Sequence, residues 1–392
     1  MRGSIIKRSE DSYRIKVSLG KDSTTGKYLS HFETVVGNKK EAEKRLRELL
    51  TQLDKGIYVK PGKTTLGEYL RSWLVDYCHP NLSPRTHELY SYICEKHLIP
   101  TLGNVSLTEL KPQHLQHLYS EKLSSGLSNR TVQIIHIILH KALKNAVKSG
   151  LLVRNVAEAV DTPKIQRHEM HVMTETDLHI FLEMARNTKY YPLFYAALFT
   201  GMRRSELLAL RWQDVDLLLC QLSVTRSMQY LHNAEPEDRI TFKEPKTPKS
   251  RRLIALSPST VSVLSEHREA QNKMRQSLGL PPLADDDLVF SHFDGKPLLP
   301  NSVTHAWIKL VRRCGLKGIR LHDARHTHAS LMLKQGIHPK IVQERLGHSS
   351  IQITLNTYSH VAPGLQQAAA NKFDDIVMAK QKDVVKQESI IN

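Results

Sequence analysis

The stretch H-D-A-R-H-T-H-A-S-L-M-L-K-Q-G-I-H-P-K-I-V-Q-E-R-L-G-H-S-S-I-Q-I-T-L-N-T-Y, from His322 to Tyr358, organises the reading of the chain. Its apolar residues Ala329, Leu331, Met332, Ile341, Val342 and Leu346 recur at helical spacing. Gly336, Pro339 and Gly347 punctuate it, which predicts short consecutive helices. On that frame sit His322, Arg325, His348 and Tyr358. A tyrosine hydroxyl has a pKa of about 10 and is a poor nucleophile unaided. A guanidinium and two imidazoles beside it suit attack on a phosphate whose negative charge must be neutralised.

Two other readings compete. Each of these residues, taken alone, can be an ordinary half-buried side chain of an amphipathic helix. H-D-A-R-H also comes close to the H-E-x-x-H zinc helix, with His322 and His326 on one face. Asp323 is shorter than the glutamate that motif needs, and no third ligand follows at metalloprotease spacing.

Working outward, 392 residues are enough for two or three domains with sizeable cores. Lys and Arg number 56 against 39 Asp and Glu, a net charge of +17 that favours a polyanionic partner, most simply nucleic acid. A merely basic protein would show the same surplus. The four cysteines, Cys78, Cys94, Cys220 and Cys314, form no C-x-x-C pair and read as reduced thiols of a cytoplasm. No window approaches the roughly 18 apolar residues of a membrane span, and M-R-G-S-I-I-K-R lacks a signal core, so the expectation is a soluble, intracellular protein.

At the N-terminus, S-I-I-K-R, S-Y-R-I-K-V-S-L-G and K-Y-L-S-H-F-E-T-V-V read as three short strands separated by turn signals. In the second, Tyr13, Ile15 and Val17 alternate with Arg14, Lys16 and Ser18, giving one apolar and one basic face. Asn38 then caps a helix with the apolar stripe Ala42, Leu46, Leu49, Leu50 and Leu53. A small sheet backed by one helix can lay basic strands into a DNA groove, and Arg14, Lys16 and Lys27 are the candidate contacts. A solvated charged face is the alternative.

Past Pro61-Gly62-Lys63, helical patterns dominate to about residue 160. Leu66, Tyr69, Leu70, Trp73, Leu74 and Tyr77 mark the first, while Ser83-Pro84 and Pro112 open the next two. Ser128 caps the longest, which runs to Gly150. Lys141, Lys144 and Lys148 share a flank of that helix with Arg130 at its start, either a basic ridge for DNA or ordinary solvated charges. Residues 161–173 show no apolar period and read as a second linker.

In the last domain the apolar helix Y-P-L-F-Y-A-A-L-F stops at Thr200-Gly201, and M-R-R-S-E-L-L-A-L-R-W reads as a new helix with Arg203 in its first turn. An arginine at a positive helix end is unfavourable unless an anion meets it, and Glu206 can hold its side chain. Strands are expected at L-L-L-C-Q-L-S-V-T, R-I-T-F-K and R-R-L-I-A-L, with Lys246 at the tip of a hairpin between the last two. A lysine there can be a plain turn residue, or can reach into a cleft and protonate a leaving alkoxide.

Taken together, T-G-M-R-R-S-E (200–206), P-K-T (245–247), H-D-A-R-H (322–326), L-G-H-S (346–349) and T-L-N-T-Y (354–358) resemble the tyrosine recombinase (phage integrase) family. The resemblance implies a multidomain α+β protein. Residues 1–63 are similar to the family's arm-type DNA-binding domain, a small three-stranded sheet plus helix. Residues 64–164 resemble its helical, SAM-like core-binding domain. Residues 170–380 resemble its mainly helical catalytic domain with a small antiparallel sheet, leaving 381–392 as a frayed tail.

The same resemblance implies the catalytic set Arg203, Lys246, His322, Arg325, His348 and Tyr358, supported by Glu206. Tyr358 would attack a DNA phosphodiester to form a 3′-phosphotyrosyl link, with no metal or other cofactor required. Implied partners are double-stranded core and arm attachment sites, a homotetramer in the synaptic complex, an excisionase and a host DNA-bending protein, in a bacterial cytoplasm at the nucleoid. Apolar spacing from Leu365 to Val377 is expected to bury on a neighbouring protomer. A type IB topoisomerase shares the nucleophile and acid chemistry, but would not need an arm-binding module.

Overall fold

The computed structural model describes residues 3–21, 26, 28–54, 63–165, 170–244, 251–358, 370–371 and 373–374. The chain divides into two compact units, 1–167 and 168–392. The first holds two separate apolar cores.

Strands β1 (Gly3–Ser9), β2 (Ser12–Lys21) and β3 (Tyr28–Val36) form an antiparallel sheet in that order. Helix α1 (Lys39–Asp54) starts where expected: Asn38 Oδ1 accepts from the Glu41 N–H while the Glu41 carboxylate accepts from the Asn38 N–H. Alternation along β2 puts Ile15 and Val17 against Leu49, with Leu46, Leu50 and Leu53 alongside. The opposite face carries Lys16 directly across from Phe32, and the Arg14 guanidinium lies 4.5 Å over that ring. Lys27 lies outside the described residues.

The second core gathers α2 (Leu66–Trp73), α3 (His79–Asn81), α4 (Pro84–Ile93), α5 (Ile99–Leu102), α6 (Pro112–Ser124) and α7 (Asn129–Lys148). Leu66, Leu70, Leu98, Leu115, Leu118, Ile135 and Leu139 are fully buried there. Two single π turns, Leu74–Cys78 and Cys94–Leu98, interrupt helices that the apolar spacing reads as regular. Each lies just ahead of a proline, Pro80 or Pro100, which lacks an N–H and crowds the carbonyl four residues back. The His79 and Ile99 N–H groups reach five residues back instead, to Leu74 and Cys94. On α7, Lys144 and Lys148 are exposed, Arg130 is bonded to Gln133, and Lys141 leans over the Tyr77 and Tyr90 rings.

The second unit contains α8 (Glu175–Arg186), α9 (Tyr191–Thr200), the single turn α10 (Arg204–Leu207), five short strands and five further helices. Its strands are β4 (Val215–Asp216), β5 (Gln221–Val224), β6 (Ser227–Tyr230), β7 (Ile240–Lys243) and β8 (Arg252–Ala255). The helices α11 (Pro258–Ser277), α12 (Pro300–Arg313), α13 (Asp323–Lys334), α14 (Pro339–Leu346) and α15 (Ile351–Tyr358) follow. Phe181, Phe194 and Trp307 meet at the centre of its main core, with Phe181 and Trp307 ring centroids 4.5 Å apart.

Three expectations need correction. The strands flanking Lys246 do not pair with each other: β7 pairs with β6, a strand the sequence reading lacks, and β8 pairs with β5. The two strands thus belong to different sheets, and Lys246 itself lies outside the described residues. M-R-R-S-E-L-L-A-L-R-W forms one helical turn and not a full helix, and Arg203 sits just before it at the cap position. The end of the supposed linker belongs to the second unit. Met173 is buried, its N–H donates to Thr327 Oγ1, and Met170 packs against the cluster holding Tyr358. An extended segment anchored by two methionines has no helical period to reveal it. Most of the expected helix from 365 to 377, and the tail, lie outside the described residues.

Candidate active site

Gly201 turns the chain between α9 and α10 in the left-handed region (φ +65°). A Cβ there would come within 2.7 Å of Leu346 and 2.8 Å of His328, so only glycine fits both the backbone and the space. The turn delivers Arg203, whose N–H and Nη1 donate to the two Glu206 oxygens at 2.9 and 2.8 Å. Glu206 is the grip expected from its spacing, and it holds a second arginine that the sequence reading missed. Arg252 Nη2 donates to Glu206 Oε2, and Arg252 Nε donates to the Arg345 carbonyl at 2.7 Å. Burial alone would raise the Glu206 carboxyl, but the hydrogen bond and charge of Arg252, with Arg203, carry it down to about 2.

Arg325 projects from α13 into the interior and is only 3% exposed. Its Nη1 donates to the Gly201 carbonyl at 2.8 Å and its Nη2 to the Leu346 carbonyl at 2.7 Å. Burial and the neighbouring Arg203 lower its pKa to about 9, which leaves it cationic at neutral pH. Gly347, also left-handed (φ +67°), ends α14 and releases His348. His348 Nδ1 then meets Thr354 Oγ1 at 2.9 Å, and its ring lies nearly parallel to that of Tyr358 with centroids 6.5 Å apart.

Tyr358 closes α15 and is 1% exposed. Burial pushes its hydroxyl up to about 12 despite the pull of Arg325 and Arg203. A 2.8 Å hydrogen bond joins that hydroxyl to His326 Nδ1. His322 stands at the start of α13 with its ring edge-on to His326, centroids 5.1 Å apart. The field of Arg203 reaches His322, Arg325, His348 and Tyr358, so five of the six expected residues share one site. Lys246 lies outside the described residues.

The zinc-like spacing is put to other use. Asp323 accepts from the Arg320 N–H, Nε and Nη2, and His326 is engaged with Tyr358. Among the described residues no cluster of three metal-binding side chains occurs. Nor is any described helix long and apolar enough to cross a membrane. What the site offers is two guanidiniums, a phenol and imidazoles around one point, a set suited to an anionic, tetrahedral group.

Comparison with known proteins bears on which anion this is. Residues 171–364 match the pattern described as Phage integrase family, and residues 65–123 that of Phage integrase, N-terminal SAM-like domain. The chain belongs to the phage integrase family. As such it is a tyrosine site-specific recombinase, an enzyme that cuts and rejoins DNA strands.

The integrase is 27% identical to a XerC-like tyrosine recombinase of Caldanaerobacter subterraneus, across 95% of this chain and 98% of that one. It is 26% identical to the ICEBs1 integrase of Bacillus subtilis, across 95% of this chain and all of that one (100%). Its fold resembles the Tn1549 transposon integrase solved with a circular intermediate DNA (TM-score 0.66, 20% identity, 79% of this chain and 99% of that one). It also resembles a lambda integrase tetramer bound to a Holliday junction (TM-score 0.55, 17% identity, 88% and 95%).

Proposed function

We propose that Tyr358 is the nucleophile of this recombinase, attacking a DNA phosphodiester to give a 3′-phosphotyrosyl link and a free 5′ hydroxyl. Arg203 and Arg325 clamp the non-bridging oxygens, where charge builds in the transition state. Lys246 protonates the leaving 5′ oxygen. His322 and His348 position the phosphate and stabilise proton movement at the nucleophile. Storing the bond energy in a phosphotyrosine lets the strand rejoin a new partner without ATP. The observation that carries the reading is that Arg325 and Arg203 both act on the Tyr358 hydroxyl while the His348 ring lies nearly parallel to the Tyr358 ring.

The substrates are then double-stranded attachment sites of a mobile element. Residues 64–164 grip the core site, using Arg130, Lys141, Lys144 and Lys148. Residues 1–63 grip arm sites through Arg14 and Lys16 on the sheet, together with Lys27. A homotetramer performs strand exchange in the bacterial cytoplasm, with an excisionase and a host DNA-bending protein setting direction. The decisive experiment substitutes Tyr358→Phe, which removes the attacking oxygen and keeps the ring for packing. That variant should bind attachment-site DNA like the parent and form no SDS-resistant adduct. A covalent product from it would move the nucleophile elsewhere.

A further inference from the structure

We propose that His326 is the base that takes the Tyr358 proton during strand cleavage. This rests on the assignment of Tyr358 as nucleophile and adds a residue to the six already proposed. Among the described residues, the geometry around the hydroxyl favours His326. Its Nδ1 lies 2.8 Å from the Tyr358 oxygen, and among the described residues no other hydrogen bond to that hydroxyl is formed. His348 lies nearly parallel to the Tyr358 ring, and its Nδ1 is engaged with Thr354 Oγ1. His322 packs edge-on against His326, with the ring centroids 5.1 Å apart. Both Nη atoms of Arg325 donate to carbonyls, and a guanidinium has no lone pair to offer a proton.

The proton balance is closed. The Tyr358 oxygen forms a bond to phosphorus, the bond from phosphorus to the 5′ oxygen breaks, and the Tyr358 proton passes to His326 Nδ1. The leaving oxygen takes a separate proton from Lys246. On rejoining, both protons return along the same paths, so no co-reactant is consumed.

Electrostatics agree with this division of labour. Burial, His322, Arg325 and Arg320, set against Asp323, hold His326 at about 4, so its ring is neutral, and in the Nε2–H tautomer Nδ1 presents a lone pair to the Tyr358 hydroxyl. Because Tyr358 is held near 12, the hydroxyl keeps its proton in the resting protein. An anionic phosphate entering beside the ring raises the basicity of His326, which couples proton removal to the presence of DNA.

The test is single-turnover cleavage by the full-length protein on a duplex spanning its mapped crossover site, with sulfur at the scissile 5′ bridging position. The sulfur leaves without a proton, so the rate reports on the nucleophile alone. In His326→Asn the side-chain oxygen can still accept the hydroxyl bond but cannot take up the proton. Adduct formation should fall by about 100-fold with DNA affinity unchanged. Its rate should also climb steadily with pH as hydroxide replaces the missing base, whereas the parent, whose base is already neutral, stays flat above pH 6.5. Cleavage by His326→Asn at the parental rate with the parental pH profile would make His326 a packing residue and overturn the proposal. Faster cleavage would overturn it too, by making the hydrogen bond a restraint on the nucleophile. The parent supplies a second measurement that depends on no variant folding: cleavage should slow in D2O, and equal rates in the two solvents defeat the idea. Adduct from Tyr358→Phe would instead defeat the nucleophile assignment, which keeps the two failures distinct.

Discussion

Arg252 and Glu206 form an almost fully buried ion pair across 46 residues of sequence, with Arg252 Nη2 donating to Glu206 Oε2 at 2.9 Å. The same Arg252 side chain reaches the last turn of α14 through the Arg345 carbonyl, so it ties the Arg203 turn to the segment that releases His348. Removing one member of such a pair strands a charge in a poorly solvated place. Arg252→Met should therefore cost about 3 kcal/mol in urea unfolding, at the lower end for a broken buried pair because Arg203 still holds Glu206. Adding Glu206→Met should recover part of that loss. Strictly additive losses in the double variant would show that the pair is not coupled.

The pH dependence of stability should single out the buried imidazoles. Burial holds His326, His328 and His348 each at about 4, below the usual histidine value of 6.5. An unfolded chain thus binds more protons than the folded one between those limits, so stability is complete above pH 6.5 and falls as the pH drops towards 4. Glu206 acts with the same sign at lower pH: its carboxyl, normally near 4.5, sits at about 2, so its contribution is intact at pH 5 and is lost as the pH falls from about 4.5 towards 2. Calorimetry should show a Tm lower by roughly 5–10 °C at pH 5 than at pH 7.5, allowing for partial exposure of the rings. An unchanged Tm would place these imidazoles in contact with water.

If Lys246 supplies the leaving-group proton, Lys246→Ala should cleave ordinary DNA about 100-fold or more slowly. A 5′-bridging sulfur departs as a stable thiolate, and on that substrate the variant should approach the parent. Equal defects on both substrates would reduce Lys246 to a positioning contact.

Cutting the chain at residue 63 should separate two activities. The 64–392 fragment should bind core DNA and form the Tyr358 adduct on a nicked substrate, while losing tight binding to element ends that carry arm sites. The 1–63 fragment, with its own Ile15–Val17–Leu49 core, should footprint those arm sites with a salt slope of about −0.9 for each phosphate contacted. Full integration by 64–392, or no low-salt DNA affinity in 1–63, would refute the arm-binding assignment and leave the chemistry of residues 203 to 358 intact.

What could be read in advance was local. Gly336, Pro339 and Gly347 break the 322–358 stretch where α13, α14 and α15 end or begin, because turn chemistry depends on the residue itself. Glu206 could be matched to Arg203 because the two are three positions apart. Arg252 could not be found this way: its partners come from α10 and α14, and nothing in R-R-L-I-A-L distinguishes it from its neighbour Arg251. The β7–β8 pairing failed for a similar reason, since consecutive strands are neighbours often but not always. His326 stood in plain view inside H-D-A-R-H, where the zinc-like spacing drew attention towards His322 and away from Tyr358.

Arg325 is fastened to Gly201 and Leu346 by hydrogen bonds internal to the fold. Its guanidinium is thus both a bracket of the tertiary structure and the cation assigned to the phosphate. Such a charge needs no reorientation as the reaction proceeds, since ordering it was completed when the chain folded. The same economy makes it indivisible. A substitution at Arg325 takes a clamp from the substrate and two hydrogen bonds from the scaffold at once, so its kinetic defect is interpretable only beside a melting curve.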